Sequence, residues 1–221
     1  MGEVELLPAT RELKIRSVLV FYGDAATPEL AKAFAADVAH YWNEPDSTVV
    51  IHNQQFKVHF DIQGIADPAL APETVWYNDD PALNFFRLEE YAEGNISFVD
   101  GLGSNTGYFK LENLLQTGTT IAHEYGHTLA LPHPLLLDVR GQGIPGIMYP
   151  RGTLCDPHMQ YDPLAKAGAY GGVMDPAHRR VLSSDIAALR LHKLSFNGNG
   201  KATIGGFTSL YHQKHTIPEP H

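Results

Sequence analysis

Residues 123–133 read His-Glu-Tyr-Gly-His-Thr-Leu-Ala-Leu-Pro-His, and this stretch narrows the folds open to the chain more than any other. On a helix, His123 and His127 stand one turn apart on one face, so both imidazoles can reach a single ion. Pro132 cannot continue that helix and pushes Leu131 toward extended backbone, so the chain must turn to bring His133 back to the same point. Neutral imidazoles in a set of three, with a fourth position left for water, suit a catalytic zinc site. Zn2+ is therefore the expected cofactor, with His123, His127 and His133 as its ligands. Glu124, beside the first ligand, is expected to take a proton from the attacking water and pass it to a departing amine. Zinc among neutral ligands keeps its full double charge, which acidifies water and polarises a carbonyl.

A chain of 221 residues is long enough for one sizeable core and short for two full domains. The formal net charge of -9, with only 16 Lys plus Arg, argues against a nucleic-acid partner, because phosphate binding needs a basic face. No apolar stretch approaches the length of a membrane span, and the opening MGEVELLPATREL has neither the basic nor the apolar region of a secretory leader. Export would then need a leader already removed or another route. Cys155 is the sole cysteine, which rules out an intramolecular disulfide and reads as an ordinary buried thiol.

Elsewhere periodicity places the elements. Residues 16–22 read as a buried strand ending at Gly23-Asp24. Thr27 and Pro28 open a helix whose apolar stripe runs through Leu30, Phe34, Val38, Tyr41 and Trp42. Residues 47–61 hold two strand-like runs joined at Asn53-Gln54-Gln55, with His52 and His59 as strand residues. Further strands are expected at 74–77 and 83–88, separated by a solvated turn at Asn78-Asp79-Asp80-Pro81. Residues 95–109 alternate strand and glycine loop, and the motif helix should run from Glu112 or Asn113 to about Leu129. Beyond His133, glycines punctuate long irregular stretches of the kind that carry binding function. Ser183-Ser184-Asp185 opens a last helix with Ile186, Leu189 and Leu194 inward, and the tail from Asn197 suggests a hairpin through Gly205-Gly206. His212, His215 and His221 read as exposed polar residues.

The segment HEYGHTLALPH resembles the metzincin zinc endopeptidases, whose pattern is H-E-x-x-H-x-x-G-x-x-H followed by a methionine turn beneath the metal. Ala130 stands where that pattern has glycine. Two segments can supply the methionine turn, Gly146-Ile147-Met148-Tyr149-Pro150 and Gly172-Val173-Met174-Asp175-Pro176; the first looks like the matrixin sequence, and Met148 is preferred. Gluzincins take a downstream Glu as third ligand, and here the only Glu after Glu124 is Glu219 in the tail. Aspzincins carry G-T-x-D, which Gly152-Thr153-Leu154-Cys155-Asp156 exceeds by one residue, so Asp156 ranks well behind His133. The resemblance implies an α+β fold with a twisted, mostly parallel sheet and two long helices in an N-terminal part, and an irregular C-terminal part ending in a helix. It treats 1–221 as a single catalytic domain, about 1–133 above the cleft with the zinc helix and about 134–221 below it.

It also implies a protein or peptide substrate extended along a sheet edge within residues 95–109, in pockets drawn from about 134–176. Tyr149, Tyr161 and Tyr170 are available to an oxyanion, though each alone reads as packing. The function expected is that of a secreted or exported zinc endopeptidase, a monomer. A zinc amidohydrolase acting on cell-wall or other non-protein amides, and a toxin-like or binding module that keeps the fold, stand as alternatives.

Overall fold

A computed structural model describes residues 1–166 and 172–216. One mixed sheet organises the chain. Strand β1 (Gly2–Leu7) turns into the long β2 (Glu12–Tyr22); helix α1 (Pro28–Asn43) then leads to β3 (Thr48–Ile51) and β4 (Gln54–Ala66). A short helix α2 (Pro72–Trp76) precedes β5 (Leu83–Glu89), and the edge is built by β6 (Phe98–Val99) and β7 (Thr106–Lys110). Spatial order is β3-β4-β2-β5-β7-β6, with β1 pairing with β2 beside the path. The central strands β4, β2, β5 and β7 run parallel, while β3, β6 and β1 attach antiparallel. The protein is thus mixed α and β, with a curled sheet whose central strands are parallel.

Strand alternation explains the two faces. In β2, Leu13, Ile15, Leu19 and Phe21 enter the main core, whereas Val18, Val20 and Tyr22 point to the opposite side. The main core lies under α1, whose Phe34, Val38 and Trp42 follow helical spacing, and under helix α4 (Gly118–Thr128). Thr27 caps α1 by accepting the Leu30 N–H at 3.2 Å. Two polar links fix α4: the Trp42 indole donates to the Ala122 carbonyl at 3.0 Å, and the Ser17 and Tyr125 hydroxyls meet at 2.8 Å. These links set the depth at which the histidine helix sits over the sheet.

The far face is covered by α2 and by the returning tail. Tyr211 stacks on Tyr22 with ring centroids 5.0 Å apart, the His212 N–H donates to the Tyr22 hydroxyl at 3.0 Å, and Arg87 donates to the His212 carbonyl at 3.1 Å. His212 contacts the Asp100 carboxylate at 2.9 Å, and the His215 ring lies 3.9 Å from that of Tyr108. The tail histidines are therefore packed and half-buried, not simply exposed as the sequence suggested, because aromatic surface on β2 and β7 gives them partners. His221 and Tyr170 lie outside the described residues. No helix among the described residues is long and apolar enough to cross a membrane.

Other expectations need correction. Residues 74–77 fall in α2 and its end, not in a strand: Pro72 at the first helical position starts a helical turn that the β-favouring Thr74, Val75 and Trp76 do not override. The β3–β4 turn sits at His52-Asn53, with φ of 47° and 61°, earlier than expected. The tail forms no hairpin at Gly205-Gly206; instead β8 (Lys201–Ile204) pairs antiparallel with β1. The last helix, α5 (Ser183–Ala188), is short, and Leu194 follows a separate 3-10 turn at Leu191–Lys193. The Asn78–Pro81 segment is a turn, in which Asp80 accepts the Ala82 N–H at 2.8 Å.

Candidate metal centre and its cleft

The expected long motif helix is two helices. A short α3 (Leu111–Leu115) ends, Thr117 adopts extended backbone (φ -164°, ψ 138°), and α4 begins at Gly118. The Thr117 hydroxyl accepts the Thr119 N–H at 3.3 Å, so a β-branched residue that caps well interrupts the run. His123 and His127 occupy one face of α4, as the spacing predicts.

The C-terminal end of α4 does more than stop. Ala130 takes a left-handed backbone, φ 67°, the conformation for which the resembling pattern carries glycine. Its N–H donates to the His127 carbonyl at 3.0 Å and the Leu131 N–H to the Gly126 carbonyl at 3.1 Å, so the last helical acceptors are satisfied as the chain reverses. Gly103 from the β6–β7 loop adds a third donor, bonding the His127 carbonyl at 2.7 Å. The reversal carries His133 back over the helix.

The three Nε2 atoms converge. His123 and His127 are 3.2 Å apart, and each lies 3.0 Å from His133. The other ring nitrogens fix the tautomers. His123 Nδ1 lies 2.7 Å from the Ile147 carbonyl and His127 Nδ1 lies 2.8 Å from the Leu131 carbonyl. A carbonyl can only accept, so each Nδ1 carries the proton and each Nε2 presents a lone pair. Lone pairs aimed at one another this closely repel unless a cation lies between them. A tetrahedral zinc ion at about 2.0–2.1 Å from each nitrogen needs them roughly 3.3 Å apart, close to the observed spacing. Burial lowers the proton affinity of all three rings, of His123 well below the ordinary histidine value, and the Arg179 charge acts the same way. Neutral imidazoles are the ligating form. The residues present therefore fit a divalent ion, and among the described residues these histidines are the one group of three or more side chains that could hold it.

Asp156 is not part of this group; its carboxylate accepts the Gly141 N–H at 2.8 Å. Cys155 is also separate, a buried thiol 3.5 Å from the Met159 carbonyl. The two methionines part company. Met148 is in the main core against α4, and a Cβ at Gly126 would overlap its sulfur, so glycine at 126 is what lets the methionine lie directly against the histidine helix. Met174 packs in a different cluster with Val139, Cys155 and Met159. The Met148 segment is also the one whose Ile147 carbonyl orients His123. Asp185 of α5 holds it, accepting the Leu182 N–H at 2.8 Å and the Ile147 N–H at 3.4 Å.

Beside the histidines opens a cavity of about 390 Å³ whose lining includes His123, Glu124, His133, Ser97, Pro150 and Arg151. The stretch before β6 thus reaches the cavity, and β6 itself is the end strand of the sheet. Glu124 is 8% exposed, and burial pushes its carboxyl up to about 8 while Arg179 pulls the other way. Tyr149 is half-buried against the Met174 cluster, and the Tyr161 ring lies under the Arg151 guanidinium at 5.8 Å.

Arg179 is the residue that sequence reading missed. It lines the cavity, is 4% exposed, and donates to the Tyr149 carbonyl at 3.1 Å and the Thr119 carbonyl at 3.4 Å. Burial lowers its pKa to about 10, so it remains cationic at neutral pH. The nearest signal in the sequence was the run Asp175-Pro176-Ala177-His178-Arg179-Arg180, which carries no spacing rule that points to a cleft. Comparison with known proteins finds no family model that matches this chain and no curated protein similar enough in sequence to count as a relative.

Proposed function

We propose that this protein is a zinc-dependent endopeptidase. The observation that carries the reading is the convergence of three Nε2 atoms within 3.2 Å of one another at the side of a cavity that Glu124 also lines. His123, His127 and His133 would hold the ion; when bound, it supplies Lewis acidity to a water and to the scissile carbonyl. Glu124 accepts the proton as the water oxygen bonds to the carbonyl carbon. It returns that proton to the amide nitrogen as the C–N bond breaks, so the group ends as it began. Burial favours its protonated form, and positive charge nearby favours the carboxylate. Opposed pulls of this kind suit a residue that must both take and release a proton.

The other residues position. Ile147 and Leu131 carbonyls hold two rings in the ligating tautomer, and Met148 lies against α4 at Gly126. An extended peptide can add to the outer edge of β6, which among the described residues pairs only with β7, and so lie beside the cavity that Ser97 lines.

The test uses the full chain, with zinc content measured alongside cleavage of a mixed peptide library. Glu124→Gln should keep one zinc per chain and lose at least about 100-fold in turnover. His127→Ala should lose both metal and turnover. A Glu124→Gln protein that cleaves like the wild type would sink the proposal.

A further inference from the structure

The cavity wall carries two cationic side chains, Arg179 and Arg151. Arg179 is nearly fully buried, yet its donors meet only neutral acceptors: the Tyr149 carbonyl, and the Thr119 carbonyl and hydroxyl at 3.4 and 3.5 Å. Its Nε has no hydrogen-bond partner, and among the described residues no carboxylate pairs with it directly, the Glu124 charge acting on it only from further off. A buried guanidinium with no carboxylate in direct contact is costly, and of its donors only the one to the Tyr149 carbonyl is well satisfied. Arg151 lines the same cavity, held by the Gln116 side chain at 2.9 Å and by the Tyr161 ring. Of the acidic side chains at the wall, Glu112 is paired with Lys110 and Glu124 belongs to the chemistry. The Ser97 hydroxyl and the side-chain amides of Asn95, Asn113 and Gln116 make much of the rest of the wall polar and uncharged.

Resting on the endopeptidase reading, we infer that this cavity is an anion-accepting subsite that takes the side chain of an aspartate or glutamate from the substrate. The position follows from Glu124. Its proton goes to the leaving nitrogen, so the residue bearing that nitrogen is the one held beside Glu124, and the cavity opens there. The preferred substrate therefore carries an acidic residue immediately on the carboxyl side of the cut bond. Arg179 and Arg151 bind it as charge-assisted hydrogen-bond donors.

The zinc-loaded full chain is tested with matched peptides that differ only by Glu or Gln at that position. The Glu peptide should be cut about tenfold or more faster in kcat/KM, the discrimination expected of a charge-assisted bond. Arg179→Leu should bring the two peptides within about twofold of each other, and Arg179→Lys should restore part of the preference. Arg151→Ala, at the rim and independent of the buried position, should reduce it while circular dichroism stays unchanged. Fluorescence anisotropy of the same labelled peptides on Glu124→Gln gives a readout without turnover, in which the Glu peptide should bind more tightly and lose that advantage at high salt. Equal cleavage of both peptides by the wild type overturns the subsite and leaves the endopeptidase standing. No cleavage of any peptide overturns the endopeptidase, and the anisotropy comparison then decides the subsite: equal binding rejects it, tighter binding of the Glu peptide upholds it.

Discussion

Ala130 occupies the one backbone position of the metal segment that its side chain resists. At φ 67° its Cβ crowds the neighbouring carbonyl, a strain that glycine lacks, although glycine has more freedom to lose on folding. The balance favours glycine, so Ala130→Gly should raise stability by about 0.5–1 kcal/mol in urea unfolding, with zinc content unchanged. A loss of stability would show that the reversal is held by something other than backbone preference. Residues 123–133 were legible because their geometry is local: helical spacing and one proline place three side chains without help from the rest of the chain. Arg179 was not, since its place in the same cavity as Glu124 is made by tertiary packing of an irregular segment, and an arginine amid loops looks like any solvated one.

Among the elements, interruptions were harder to read than existence. The β2 strand and α1 announce themselves through apolar periodicity, but the break between α3 and α4 depends on a single capping threonine inside a pattern that otherwise suits a continuous helix. Likewise Thr74, Val75 and Trp76 favour a strand in isolation, and only Pro72 hints that the backbone is already helical. Helix α5 bears on the metal site more than its six residues suggest. Its Asp185 collects N–H groups from Leu182 and Ile147, tying the last helix to the strip whose carbonyl orients His123. Asp185→Ala should cost about 1–2 kcal/mol in thermal or urea unfolding. It should also weaken zinc binding in a competition titration, whereas an equal loss of stability with unaltered zinc affinity would uncouple the two.

At the scale of the whole molecule, the apolar core extends well beyond the three-histidine site. The large apolar cluster reaches from β1 through β2, β4 and α1 to α5, burial that does not itself involve an ion, so the sheet and helices are expected to pack without one. Stripping zinc with a chelator should therefore leave the far-ultraviolet circular dichroism nearly intact. It should lower Tm by about 5–10 °C relative to protein in zinc at about 100 times its Kd, from a linkage of about 2.7 kcal/mol. Full unfolding on chelation would place the ion in the folding nucleus instead. The general α+β character was legible from alternating strand and helix patterns, but the partnership of β1 with β8 was not, because a pairing of Glu3 with Thr203 leaves no local trace.

That pairing has a consequence for biosynthesis. During translation β1 emerges well ahead of β8, so its outer hydrogen-bonding groups wait for a partner that lies about 200 residues further along the sequence. Throughout that interval it is a template for any other extended chain nearby, so chaperone demand and aggregation of products that stop short of β8 should concentrate at β1.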